Sequence, residues 1–180
     1  MNAELKARMQ KIQKVSGGVS EICKVLMAFA LAAFLVLVVV IFSGIDRGTI
    51  GIGGIEIHAN QLSVGGKLVI ALYLGFFGFV LFKGLSHLSQ LFDNYSRGEI
   101  FTKDSVAQLM RLGFVALLAA GVKIFAFPVA VMLIHNHNPG NASVELMIPF
   151  TELIIGGLVI LISWIMDTGR LLREENELTI

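Results

Sequence analysis

The chain has 180 residues, 56% of them hydrophobic and 15% charged, with a net charge of +1 and one cysteine. A soluble domain averages about 25% charged residues, so these values exclude a disordered chain, a basic nucleic-acid-binding domain and a disulfide scaffold. They point to a polytopic membrane protein with little soluble mass.

The N-terminal tail, residues 1–18, carries Leu5, Met9, Ile12 and Val15 on one side of a helix and Lys6, Lys11 and Lys14 off it. Arg8 lands inside the apolar sector. Gly17-Gly18 is expected to interrupt the helix before the first span. Two readings stand: a short basic helix lying on the inner leaflet, or a frayed tail that only sets topology. The first span is predicted at about 23–43, around the unbroken apolar run Val25 to Phe42. That run exceeds a signal-peptide core, and no small-x-small site follows Phe42, so it reads as a retained helix.

The first outer loop contains Ile50-Gly51-Ile52-Gly53-Gly54-Ile55-Glu56-Ile57. A Gly-Gly turn predicts a small hairpin over about 49–58, with Ile52 facing Ile55 and Ile50 facing Ile57. Period two then puts the four isoleucines on one face, turned down onto the helix ends or the outer leaflet. A flexible glycine-rich loop is the competing reading. The second span is predicted at about 68–88.

The middle loop runs from Leu91 to Thr102. Gly98 permits a turn, Ile100-Phe101 is expected to tuck under the helices, and Tyr95 is expected to be exposed. Thr102 suits the N-cap of the next helix, and Asp104 suits its first turn.

The third span is predicted at about 109–134, with Lys123 in its middle, roughly 16–18 Å from either end. At that depth a lysine should face protein or water. Pro128 removes the hydrogen bond to the Ile124 carbonyl, so a kink is expected beside the lysine. The second outer loop carries His135 and His137. With Glu145 and His58 the only further candidates, a solvated loop is the better reading than a metal site.

The fourth span is predicted at about 147–168. Its Glu152 is a candidate partner for Lys123, but with both spans starting flush it sits roughly 9 Å shallower. Its side chain leans outward while Lys123 leans inward. Direct pairing, a water bridge and a neutral lysine all remain open. Ala28 with Ala32, Gly75 with Gly78, Ala116 with Ala120, and Gly156 with Gly157 are candidate packing seams. The tail continues the last helix, turns acidic at Glu174, Glu175 and Glu177, and ends on an apolar tripeptide. Lysines and arginines cluster before the first span, in the middle loop and after the last span. That bias places both termini in the cytoplasm.

Two stretches carry a resemblance. The run L-F-x-N-Y-x-x-G-x-I-F-T from Leu91 to Thr102, and the ending L-R-E-E-N-E-L-T-I from Leu172 to Ile180, resemble the bacterial membrane family called domain of unknown function 2975. The resemblance implies a four-helix protein of the bacterial inner membrane. Its members often stand beside a small Cro-like helix-turn-helix regulator, which implies a soluble partner.

The expected fold is therefore an all-α membrane protein: a four-transmembrane-helix bundle with a small outer β-hairpin. No paired-carboxylate, Cys-His or phosphate-loop pattern points to an enzyme, a cofactor or a metal. The leading functional reading is a regulatory or adaptor protein. Its candidate partner-binding residues are Asn94, Tyr95, Gly98, Phe101, Thr102, Glu174, Glu175 and Glu177, with a helix-turn-helix regulator as partner, no direct nucleic-acid contact, and a second copy of the chain as a further candidate. The alternative is a small transporter or channel component using Lys123 and Glu152.

Overall fold

The computed structural model describes residues 3–43, 49–52, 55–58, 63–137 and 148–178. Helix α1 runs from Ala3 to Ser43. At about 1.5 Å per residue it is roughly 60 Å long, twice the hydrocarbon thickness. Gly17-Gly18 does not break it, contrary to expectation, and no separate interfacial helix forms. The reason is tertiary: Ser16, Ser20 and Cys23 are buried, and Ser20 Oγ lies 3.2 Å from both Ser89 O and Ser89 Oγ on the next helix. A Cβ at Gly17 would be 3.8 Å from Ser96 Cβ. This long seam offsets the roughly 1 kcal/mol that each glycine costs a helix.

Strands β1 (Thr49–Ile52) and β2 (Ile55–His58) pair antiparallel, with Ile52 opposite Ile55 and Ile50 opposite Ile57. Their side chains lie outside the described residues, so the downward-facing isoleucines do too. Helix α2 runs from Val64 to Ser96. Ser63 caps its start by accepting from Gly66 N at 3.2 Å.

The third span has three parts: α3 (Lys103–Gly121), a π-helical segment (Val122–Ala126) and α4 (Phe127–His137). The expected distortion at Pro128 takes the form of this π segment, in which Phe127 N donates to Val122 O. Pro128 thus sits in the first turn of α4, where a missing N–H costs little. α4 continues through His137, so the backbone of His135 and His137 is helical rather than looped. Their side chains, and residues 138–147, lie outside the description. Helix α5 runs from Phe150 to Leu178. Each helix is longer than its apolar core, and four stretches are long and apolar enough to cross a membrane: Lys6–Ser43, Val64–Ser96, Lys103–Leu133 and Phe150–Asn176.

The helices pack in an open row. α1 lies along α2, α2 along α3 and α4, and α3 along α5, while α1 and α5 share no comparable seam among the described residues. The expected four-helix bundle takes this open form. In lipid there is no hydrophobic drive to close it, because an acyl chain covers leucine as well as another helix does. Ala28 and Ala32 are accordingly exposed rather than packed. Each seam has its own contact. Ile41 meets Ile70 in α1/α2, and the Phe34 ring lies over Gly75, 3.4 Å from where a Cβ would stand. In α2/α4, the rings of Tyr73 and Phe127 are 5.9 Å apart.

The α3/α5 seam is the tightest. A Cβ at Gly113 would stand 2.6 Å from Ile160 Cγ1 and 3.1 Å from Gly156 O, and one at Gly156 would stand 2.8 Å from Leu117 Cδ2. Only glycine fits at either position without moving a backbone. Gly157, one residue on, has nothing within 4 Å. Gly156→Ala should therefore lower the detergent unfolding midpoint by the equivalent of about 1–3 kcal/mol through overpacking. Gly157→Ala should be neutral or slightly stabilising through helix propensity. Equal effects at the two sites would contradict the seam.

Candidate functional site

The Gly113–Gly156 contact sets α5 at an unexpected height. Ser163 Oγ donates to Val106 O at 3.3 Å, and further out Lys123 Nζ donates to Glu152 Oε1 in an ion pair. The flush start assumed from sequence is wrong. In the register set by Gly113–Gly156 and Val106–Ser163, Glu152 stands opposite Leu117, about 9 Å nearer the start of α3 than Lys123, and α4 runs on for 11 residues beyond the π segment. The pair forms because the axial offset reverses the expected height difference: each side chain leans toward the N-terminus of its own helix, so Lys123 and Glu152 now lean toward each other.

Its depth follows from the row. Ile41 and Ile70 pack near the outer end of the first apolar run. Tyr73 lies one turn deeper and meets Phe127. Lys123 lies one turn deeper again, about 10 Å below Ile41. It belongs to the π segment, a local distortion found frequently at functional sites. The side chains keep 39% (Lys123) and 31% (Glu152) of their exposure. Lys123 thus faces a groove between two spans rather than a sealed interior.

A second polar group sits at the other end. His87 Nδ1 lies 2.8 Å from Gln108 Oε1, an oxygen that only accepts, so the ring donates from Nδ1. Gln108 Nε2 donates to Gln90 Oε1 at 2.8 Å, and Gln90 Nε2 to Ser86 Oγ at 3.2 Å. This chain ties α2 to α3 near the ends that the turn from Arg97 to Thr102 joins. Sequence reading missed it and the partner glycine Gly113. The available signal was the run of serines, glutamines and a histidine on either side of the middle loop, at the ends of otherwise apolar helices.

The motif from Leu91 to Thr102 proves to be helix-ending chemistry. Gly98 has φ +83°, Gly98 N donates to Tyr95 O and Glu99 N to Asn94 O, each at 3.0 Å. These two bonds make a Schellman motif, which needs a left-handed residue at the position of Gly98. Asn94 Oδ1 and Asp93 Oδ2 both accept from the Arg97 guanidinium, at 3.0 and 2.8 Å. Thr102 caps α3 as expected, accepting from Ser105 N at 3.3 Å, and Ser105 Oγ ties the turn to Glu99 O at 2.6 Å. A Cβ at Gly98 would stand 2.9 Å from Gln13 Nε2, so α1 docks on this turn.

Two expectations here are corrected. Tyr95 is half-buried, with its ring 6.0 Å from that of Phe92 in a T-shaped pair. Phe101 does not tuck under the helices and keeps 53% of its exposure, because the caps of Gly98 and Thr102 turn it outward. In the tail, Arg170 binds Asp167 and also Glu174, the latter at 2.6 Å, and Glu175 is exposed. The side chains of Glu177 and Leu178, and Thr179-Ile180, lie outside the described residues. Among those described, no group of three His, Cys, Asp or Glu could hold a metal ion.

The intramembrane pair makes a measurable claim. Lys123→Met and Glu152→Gln each leave one strongly polar partner unpaired at depth, so each single change should destabilise the protein. The double variant should lose less than the sum, with a coupling of about 0.5–3 kcal/mol in detergent unfolding. Additive losses would mean that the two side chains do not interact.

Comparison with known proteins adds one match. A family model described as a protein of unknown function, DUF2975, matches residues 55–180. No curated protein matches the chain, and no solved structure does. The matched region takes in α2 to α5, both helix caps, Lys123 and Glu152, and it covers well over half of the sequence; the chain belongs to the DUF2975 family.

Proposed function

We propose that this multi-pass membrane protein is a non-enzymatic regulator or adaptor of the bacterial inner membrane, with both termini in the cytoplasm. The observation that carries the reading is the overhang of α1 and α5. Taking a core of about 30 Å inward from Ile41–Ile70, α1 leaves lipid near Ile22, and the apolar run of α5 ends at Asp167. Residues 3–21 then extend about 28 Å and residues 167–178 about 18 Å into the cytoplasm. The first overhang exposes Lys6, Arg8, Lys11 and Lys14, and the second exposes Glu174 and Glu175. Small proteins that only span a bilayer have no need of rigid helices of this length outside it.

The partner class is a small basic protein such as a helix-turn-helix regulator. The acidic end of α5 steers such a surface by charge, and occupying it withholds the cations that would bind phosphate. The Asn94–Thr102 turn supports α1 from beneath and presents Phe101 beside the docking face.

A second reading has its own observation. The Lys123–Glu152 pair at a π segment is the arrangement that a small transporter or channel component would use.

Deleting residues 174–180 tests the leading reading. The truncated protein should stay folded in detergent and lose a basic helix-turn-helix protein that the full chain retains. Retention of that protein, or its absence from the full chain, would contradict docking at the tail. Topology is read separately: with Cys23 replaced by Ser, Asn141→Cys should label from outside in intact cells and Ser96→Cys should not. The reverse pattern would invert the orientation.

A further inference from the structure

We propose that copies of this chain associate head to tail, the acidic end of α5 in one copy lying antiparallel on the basic N-terminal part of α1 in the next. The inference does not depend on which side of the membrane these ends face.

Three observations converge. First, apolar residues are exposed where acyl chains do not cover them. Ile12 and Val15 stand beside Lys11 and Lys14, and Leu171 and Leu172 stand between Arg170 and Arg173. Segments so charged stay out of hydrocarbon, so these side chains call for a protein surface rather than lipid. They lie on the two edge helices of the row, which share no comparable seam within one chain among the described residues.

Second, each edge carries an exposed stripe with steps of four and three residues, the period by which two helices interlock. On α5, Ile154, Leu158, Leu161, Ile165 and Leu172 run through Thr168 into Glu175; on α1, Phe29, Leu26, Ile22, Val15 and Ile12 run through Val19 into Arg8. The two stripes match in height. Ser163 meets Val106, Gln108 meets Gln90, and Ser89 meets Ser20. Carried across the row, these contacts set Leu172 level with the turn from Arg8 to Ile12, and Glu175 within a turn of Arg8. Two copies in one membrane share their heights, so the match holds between them.

Third, charge selects unlike edges. Lys11 and Lys14 flank the stripe on α1, and Glu174 lies beside Glu175 on α5, all of them exposed. Pairing α5 with α1 sets carboxylates against ammonium groups, whereas α1 with α1 or α5 with α5 sets like charges together. The contact therefore joins different faces, which closes into a ring or extends as a row. The end of α5 is also the docking surface proposed above, so assembly and docking compete for it.

The test uses two full-length chains with Cys23→Ser and different affinity tags, one carrying Ile12→Cys and the other Leu172→Cys. They are co-expressed and oxidised with copper phenanthroline in membranes stripped of soluble protein, which separates this test from that of docking. The mixed pair should cross-link at least about fivefold faster than either chain with itself. Lys11→Glu on the first chain should slow the reaction at least about threefold, and Glu175→Lys on the second should restore it. Self-linking as fast as the mixed reaction overturns the head-to-tail contact. The absence of any link between copies overturns the association, and so does a link found only to a soluble protein in unstripped membranes or only within a chain that carries both cysteines.

Discussion

Two glycines without side chains between them fix this structure. Where Gly113 meets Gly156, the backbones of α3 and α5 approach so closely that a methyl group on either would collide with the other helix. Such a contact has one register. Sliding α5 by a turn would put Ile160 or Leu117 where the gap is narrowest. The axial offset of α5 and the meeting of Lys123 with Glu152 both follow from that register. In lipid, where apolar surface gains little from leaving one apolar neighbour for another, close packing and hydrogen bonds decide which helices meet. The remaining seams obey the same rule: Phe34 on Gly75, Ser20 with Ser89, and the Gln108 amide between His87 and Gln90.

The same physics explains the open row. Ile154, Leu158, Leu161 and Ile165 on α5, like Val25, Phe29 and Val36 on α1, are exposed, which in water would drive collapse and in a bilayer does not. Polar groups then separate by depth. The histidine–glutamine chain ties α2 to α3 near the turn that joins them, and the ion pair ties the π segment to α5 toward the other end of the span. Between them the described contacts are those of glycines with Phe34, Leu117 and Ile160 and of Tyr73 with Phe127.

How much of this was legible in the sequence depends on range. The four apolar stretches were readable because length and hydropathy alone decide what can span a bilayer. Thr102 as an N-cap was readable because capping is local. Gly17-Gly18 misled, because its local cost is real but is overridden by Ser16, Ser20 and Cys23 packing on α2. Pro128 marked the right place for a distortion but not its form, since a proline permits a kink or a π segment equally. The Lys123–Glu152 pair was recognisable as two residues and not as a contact. Its formation depends on a height difference set by Gly113 and Gly156, some 43 residues apart in the chain. The motif from Asn94 to Thr102 was noticed as a pattern, and only the left-handed Gly98 and its two backbone bonds reveal it as a helix ending first and a docking face second.

The register of α3 against α5 is the claim on which the others depend, and oxidative cross-linking reads it directly. With Cys23→Ser, paired cysteines at Val106 and Ser163 face each other across the seam, where Ser163 Oγ reaches Val106 O. They should form a disulfide under mild oxidation, since adjacent backbones at a close helix contact meet the short spacing a disulfide needs. If the spans instead started flush at the outer surface, Ser163 would lie opposite Leu118. Efficient cross-linking of Leu118→Cys to Ser163→Cys, with none between positions 106 and 163, would contradict the offset and with it the intramembrane ion pair.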